Sequence, residues 1–108
     1  MTLEEYQQTA SQTALYPERY KIIYPSLGLC GEAGEVAEKV KKLLRDNDGI
    51  LSDEKKQEIK KEMGDVLWYL AALSTDLGLS LKDVAQANVD KLLSRKMRGT
   101  IKGSGDNR

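Results

Sequence analysis

Histidine and phenylalanine are missing from this chain of 108 residues; cysteine and tryptophan occur once each and proline twice. Without histidine there is no Ser-His-Asp or Cys-His nucleophile pair, no His-Glu-x-x-His zinc helix and no Glu-x-x-His di-iron bundle. Lone Cys30 excludes a disulfide framework within the chain and a thiolate metal cluster, so a reducing, cytoplasmic setting is the expectation. The apolar runs are too short to span a bilayer. Residues 1–16 hold Glu4 and Glu5 and no basic residue, unlike a signal peptide, so secretion is not expected. Acid-base or metal chemistry must therefore come from carboxylates, amines or tyrosines.

Charge is plentiful and balanced, with 17 Lys+Arg against 17 Asp+Glu. The zero sum gives no ground for expecting a nucleic-acid polymer or a membrane as partner. It conceals a segregation: residues 82–108 hold seven basic and three acidic side chains, residues 1–81 ten basic and fourteen acidic. A chain this short is expected to form one domain.

Thr2 with Glu5 three residues on has the form of a capping box, and Leu3, Tyr6, Ala10 and Ala14 follow at helical spacing. This predicts a helix over about 3–15. Residues 17–28 contain both prolines and read as a packed connector. Val36, Val40, Leu43 and Leu44 mark one face of a second helix, Leu29 to Arg45. Asp53 is a candidate cap for a third, whose stripe runs through Ile59, Met63, Val66, Leu70, Leu73 and Leu77 to a stop at Gly78. Ser80 and Asp83 open a fourth, with Leu81, Val84, Val89 and Leu92 on its apolar side. The fold class is all-α: a four-helix bundle occupying residues 1–97, followed by a Gly-rich flexible tail, residues 98–108.

Two helices carry the same irregularity. At about 100° per residue, Glu32 lies about −40° and Glu35 about −100° from Val36, at the edge of the apolar stripe. On the third helix Glu62 and Asp65 lie at about −40° and −100° from Val66. If the helices pack antiparallel through their apolar faces, the four carboxylates converge on one seam. Each close pair of like charges there costs on the order of 4 kcal/mol at an effective dielectric of about 20 unless cations intervene. An oxygen-only cluster suits hard cations such as Mg²⁺ or Mn²⁺. On the fourth helix Asn88 and Arg95 fall at about −20° and −40° from Leu81, within or against its apolar stripe, with Lys91 at the edge near about −80°. Such groups need partners: the acidic seam itself, or a bound anion such as a polyphosphate.

The segments GLCGEAGEVAEKVKK and EMGDVLWYL, with NVDKLLSRKMRGTIKGSGDNR later, resemble the MazG-like family of all-α nucleoside triphosphate pyrophosphohydrolases over about residues 20–108. The resemblance implies that Glu32, Glu35, Glu62 and Asp65 hold Mg²⁺, with Mn²⁺ as a substitute. It implies conversion of a nucleoside triphosphate and water to the monophosphate and pyrophosphate, in a dimer or dimer of dimers. Leu67, Trp68 and Ala71 widen the apolar surface of the third helix, which also suggests burial against a second copy. Asn88, Lys91 and Arg95 are the candidate substrate-binding residues. A narrower dCTP, dUTP or phosphoribosyl-ATP pyrophosphohydrolase and a non-catalytic oligomeric module binding nucleotide or protein remain open alternatives.

Overall fold

The computed structural model describes all 108 residues and contains four α-helices and no strand: α1 (Leu3–Ser11), α2 (Ile23–Asp46), α3 (Asp53–Asp76) and α4 (Leu81–Met97). The capping box forms, Glu5 N–H donating to Thr2 Oγ1 at 3.1 Å and Thr2 N–H to Glu5 Oε1 at 3.1 Å. Helix α1 ends four residues earlier than its apolar spacing suggests. Thr13 and Ser11 turn their hydroxyls onto the carbonyls of Ala10 and Gln8, which offers those carbonyls partners other than the next turn of helix.

Helix α2 begins six residues before the expected Leu29 and takes in Pro25, which is buried. A proline in the first turn removes an N–H that would have had no helical partner, so it does not break the helix there. The cap of α3 is Ser52 rather than Asp53: Lys55 N–H donates to Ser52 Oγ at 3.2 Å. Gly78, at φ 71°, follows the end of α3, and Leu79 N–H reaches back to Ser74 O at 2.8 Å, closing a Schellman turn.

Helices α2 and α3, 24 residues each, are joined by the short loop 47–52 and form a long antiparallel hairpin. Helix α1 crosses the C-terminal half of α3, where Ala10, Ala71 and Leu81 make the dry core, with Tyr6, Leu67 and Trp68 packed against it. Gln7 ties the corner together. Its Nε2 donates to Thr75 Oγ1 (3.0 Å) and Leu79 O (2.9 Å), and its Oε1 accepts from Leu81 N–H (2.8 Å). Of the apolar surface of Leu67, Trp68 and Ala71, Ala71 is buried in this core, and Leu67 and Trp68 are half-buried against it.

Elsewhere the chain is open. Val84, Val89, Leu92 and Leu93 of α4 are exposed, as are Val40, Leu44 and Met63 of the hairpin. Its accessible area is 8035 Å², against about 6,000 Å² for a compact chain of this mass. The radius of gyration is 16.8 Å, against about 13 Å. The four helices thus make a hairpin with two flanking helices at one end, not a closed bundle. No helix is long and apolar enough to cross a membrane.

Candidate metal centre

The antiparallel hairpin sets Gly28 of α2 against Tyr69 of α3; a Cβ at Gly28 would overlap the Tyr69 ring, so the close approach requires glycine. One turn further along α2, the same register brings carboxylates together. One oxygen each from Glu32, Glu62 and Asp65 lies within 4.8 Å of the others. Glu32 and Glu62 are half-buried and Asp65 is exposed. Glu35 is exposed and outside this group, although its charge still reaches Glu32. Partial desolvation, then the charges of Asp65, Glu62 and Glu35, hold the Glu32 carboxyl above its ordinary range. No ammonium or guanidinium pairs with any of the four: the lysines and arginines of the chain have other ion-pair partners or none. An anionic, oxygen-only donor set of this kind could hold a metal ion.

Two phenols border the cluster. Tyr6 is pushed up by burial and then by Asp65; Tyr69 by burial and Tyr24, then by Glu32 and Asp65. Tyr6 reads in the sequence only as part of the α1 stripe, and nothing local marks it as a neighbour of Asp65. From Tyr69 an aromatic run leads away from the carboxylates. Tyr24 lies 6.3 Å from Tyr69, Tyr16 stacks on Tyr24 at 4.7 Å, and Trp68 meets Tyr69 edge-on at 4.9 Å. Tyr16, Tyr20, Tyr24 and Trp68, with Thr13, Leu15 and Pro17, line a pocket of about 450 Å³. On another side of the hairpin an apolar trough of about 530 Å³ runs between Ala33, Val36, Met63, Gly64, Val66, Leu67 and Leu70.

The basic residues of α4 have other partners than these carboxylates. Asn88 is exposed. Lys91 Nζ faces Asp106 Oδ1 at 3.5 Å, and Arg95 Nη2 faces the same oxygen at 3.7 Å. The Arg95 side chain, only 6% exposed, donates from Nη2 to Asp106 O at 2.7 Å and leaves Nε without a partner. Neither cation pairs with the acidic seam. Residues 98–108 turn back on themselves through the C-terminal arginine. Arg108 donates to Gly105 O (2.7 Å), Ile101 O (3.0 Å) and Thr100 O (3.1 Å), folding the segment over Arg95.

Fold and site together define a small all-helical protein that gathers carboxylates, without nitrogen or sulfur ligands, on one helical hairpin beside an aromatic pocket. Residues 26–99 match the MazG nucleotide pyrophosphohydrolase domain, and the chain belongs to that family. It is 48% identical to the Gene 37 protein of Mycobacterium phage L5, an alignment covering both chains in full. It is 40% identical over 72 residues to the uncharacterized protein YvdC of Bacillus subtilis (strain 168), covering 62% of this chain and 68% of YvdC. No solved structure gives a significant match.

Proposed function

We propose that the protein is an Mg²⁺-dependent nucleoside triphosphate pyrophosphohydrolase, releasing the monophosphate and pyrophosphate. The observation that carries this is the convergence of Glu32, Glu62 and Asp65, uncompensated by any cation of the chain, at one end of an aromatic run in a member of this family. Glu32, Glu62 and Asp65 hold the metal, with Glu35 one turn along α2. A cation held there would neutralise charge on the triphosphate and make a water more acidic for attack at the α-phosphorus, and Mn²⁺ would be the natural substitute. Glu38 and Glu58, the other nearby carboxylates, are engaged by Lys41 (2.7 Å) and Lys55 (3.1 Å), and those lysines hold both below the ordinary range. Glu35 has no such partner, which makes it the best-suited acceptor for the proton of the water. The tyrosine-lined pocket receives the base.

We place the phosphate contacts of Asn88, Lys91 and Arg95 across an interface with a second copy, as a dimer or dimer of dimers. The exposed α4 stripe, the trough along α2 and α3, and an area about 2,000 Å² above that of a compact chain support this, since an obligate interface buries surface on that scale. Arg95 reaches a phosphate only when Asp106 lets go. The test is a panel of ribo- and deoxyribonucleoside triphosphates with Mg²⁺ or Mn²⁺, read by pyrophosphate release. Glu35→Gln and Asp65→Asn should abolish turnover while helical circular dichroism is kept. No turnover of any triphosphate with either metal overturns the proposal.

A further inference from the structure

The connector between α1 and α2 contains the most strained backbone in the chain. Ile22 sits at φ 69°, ψ −51°, and Ile23 N–H donates to Lys21 O at 2.7 Å, a γ-turn with positive central φ. A β-branched residue in that region is an outlier that persists only when its surroundings enforce it. One atom does so here. Asp76 Oδ2 accepts the Ile22 N–H at 2.9 Å and the Tyr16 hydroxyl at 2.7 Å. The segment 16–22 is therefore stapled at both ends to a single carboxylate oxygen, and Pro17 and Tyr20, two of the residues lining the aromatic pocket, lie between the staples. Tyr16 and Tyr24, whose stacked rings line the same pocket, lie at its two edges.

Asp76 is also in an unfavourable place for a carboxylate. It is the last residue of α3, where the helix dipole disfavours negative charge, and no basic residue lies in that turn. Its position makes sense through what it accepts: burial and the bond to Asp76 keep the Tyr16 phenol protonated, so the hydroxyl is always available as a donor.

We infer that Asp76 is a positioning residue that sets the affinity for the nucleoside end of the substrate, holding the strained Ile22 turn and Tyr16 so that the tyrosine wall of the pocket is preformed. This rests on the reading of that pocket as the base site, and the test separates the two. Asp76→Ala should raise KM for the preferred triphosphate about tenfold and leave kcat within about twofold, because strain of this kind corresponds to one or two decades in an equilibrium. Asp76→Asn, which keeps an acceptor oxygen, should fall between. Ile22→Gly placed in the Asp76→Ala protein should recover most of the affinity, since glycine adopts positive φ without enforcement.

The same three variants are read without nucleotide by near-ultraviolet circular dichroism of the Tyr16–Tyr24 stack. The signal should drop in Asp76→Ala and return with Ile22→Gly. If the wild type binds no nucleotide, the base-site reading fails while the dichroism still reports on the staple. An unchanged KM, an equal fall in kcat, or a defect that Ile22→Gly does not relieve and Tyr16→Phe reproduces in full would each overturn the role given to Asp76. Should Asp76→Ala fail to fold, Asp76→Asn with and without Ile22→Gly decides by the same two readouts.

Discussion

Helix α3 presents carboxylates in two regions that differ in what surrounds them. At its C-terminal end Asp76 accepts from an N–H and an O–H of the α1–α2 connector. In its middle, Glu62 and Asp65 face Glu32, an acceptor like themselves, and no donor of the chain answers them. A carboxylate with donors is part of the framework; several carboxylates with only one another repel, and a cation bound among them would relieve that repulsion. The contrast also has a mechanical side. The region around Asp76 is cross-tied by Gln7, Tyr16 and Trp68, whose Nε1 donates to Thr13 Oγ1 at 2.8 Å, whereas the stretch holding the carboxylates runs along an open trough.

The sharpest way to break this contrast is to remove one member of the seam. Glu62→Gln should lower kcat by about 10²–10³ with Mg²⁺ present, the range seen when a group stabilising developing charge is lost, while metal-free stability holds or rises. Titration by calorimetry should show weakened Mg²⁺ binding in the same variant; a metal affinity equal to wild type would remove Glu62 from the proposed ligand set. Next in size, adding Mg²⁺ at one hundred times its Kd should stabilise the wild type by about 2.7 kcal/mol in denaturant titrations and Glu32→Gln by much less. No comparable effect is expected to depend on Asp76, which already has its donors.

A smaller effect tests the register that brings the seam together. Gly28→Ala lies in a helix interior, where alanine ordinarily gains about 1 kcal/mol. Here the added methyl meets the Tyr69 ring, so the sign should reverse to a loss of about 1–3 kcal/mol in urea unfolding. A stabilised variant would mean that the two helices do not approach so closely.

Much of this was legible in the residues because its signals are local. Ser80 with Asp83 and Gly78 with its positive φ punctuate α3 and α4 as their chemistry dictates. Glu32, Glu62 and Asp65 could be grouped in advance because each sits at the edge of an apolar stripe and an antiparallel hairpin leaves those edges few ways to meet. Glu35 has the same azimuth as Asp65 yet falls outside the group, since a wheel gives direction around a helix and not height along its neighbour. The features that were not legible are those with distant partners: Asp76 meets Tyr16 and Ile22 across more than fifty residues, and Trp68 finds Thr13 just past the end of α1. Pro25 suggested a break because only its place in the first turn makes it harmless. Arg95 suggested an anion site, while its guanidinium is occupied by the loop that Arg108 closes.

The mildest prediction concerns pH. Glu32 is held above its ordinary carboxyl value of 4.5 by partial desolvation and the neighbouring charges. In metal-free protein its folded pKa therefore exceeds its unfolded one, so the native state binds more protons between the two. That contribution is present below 4.5 and is lost as pH rises through the raised value, giving a shallow decline in stability just above the ordinary carboxyl range. Glu32→Gln should flatten this decline when Tm is followed from about pH 4 to pH 7 in chelator. Saturating Mg²⁺ should reverse its sign, because the metal binds only the deprotonated seam and its stabilisation grows as protons leave. Asp76 supplies the control: with its donors in place, Asp76→Asn should leave the difference between chelator and Mg²⁺ unchanged. A pH slope that survives Glu32→Gln, or that Mg²⁺ does not invert, would mean that the two acidic regions of α3 are electrostatically alike after all.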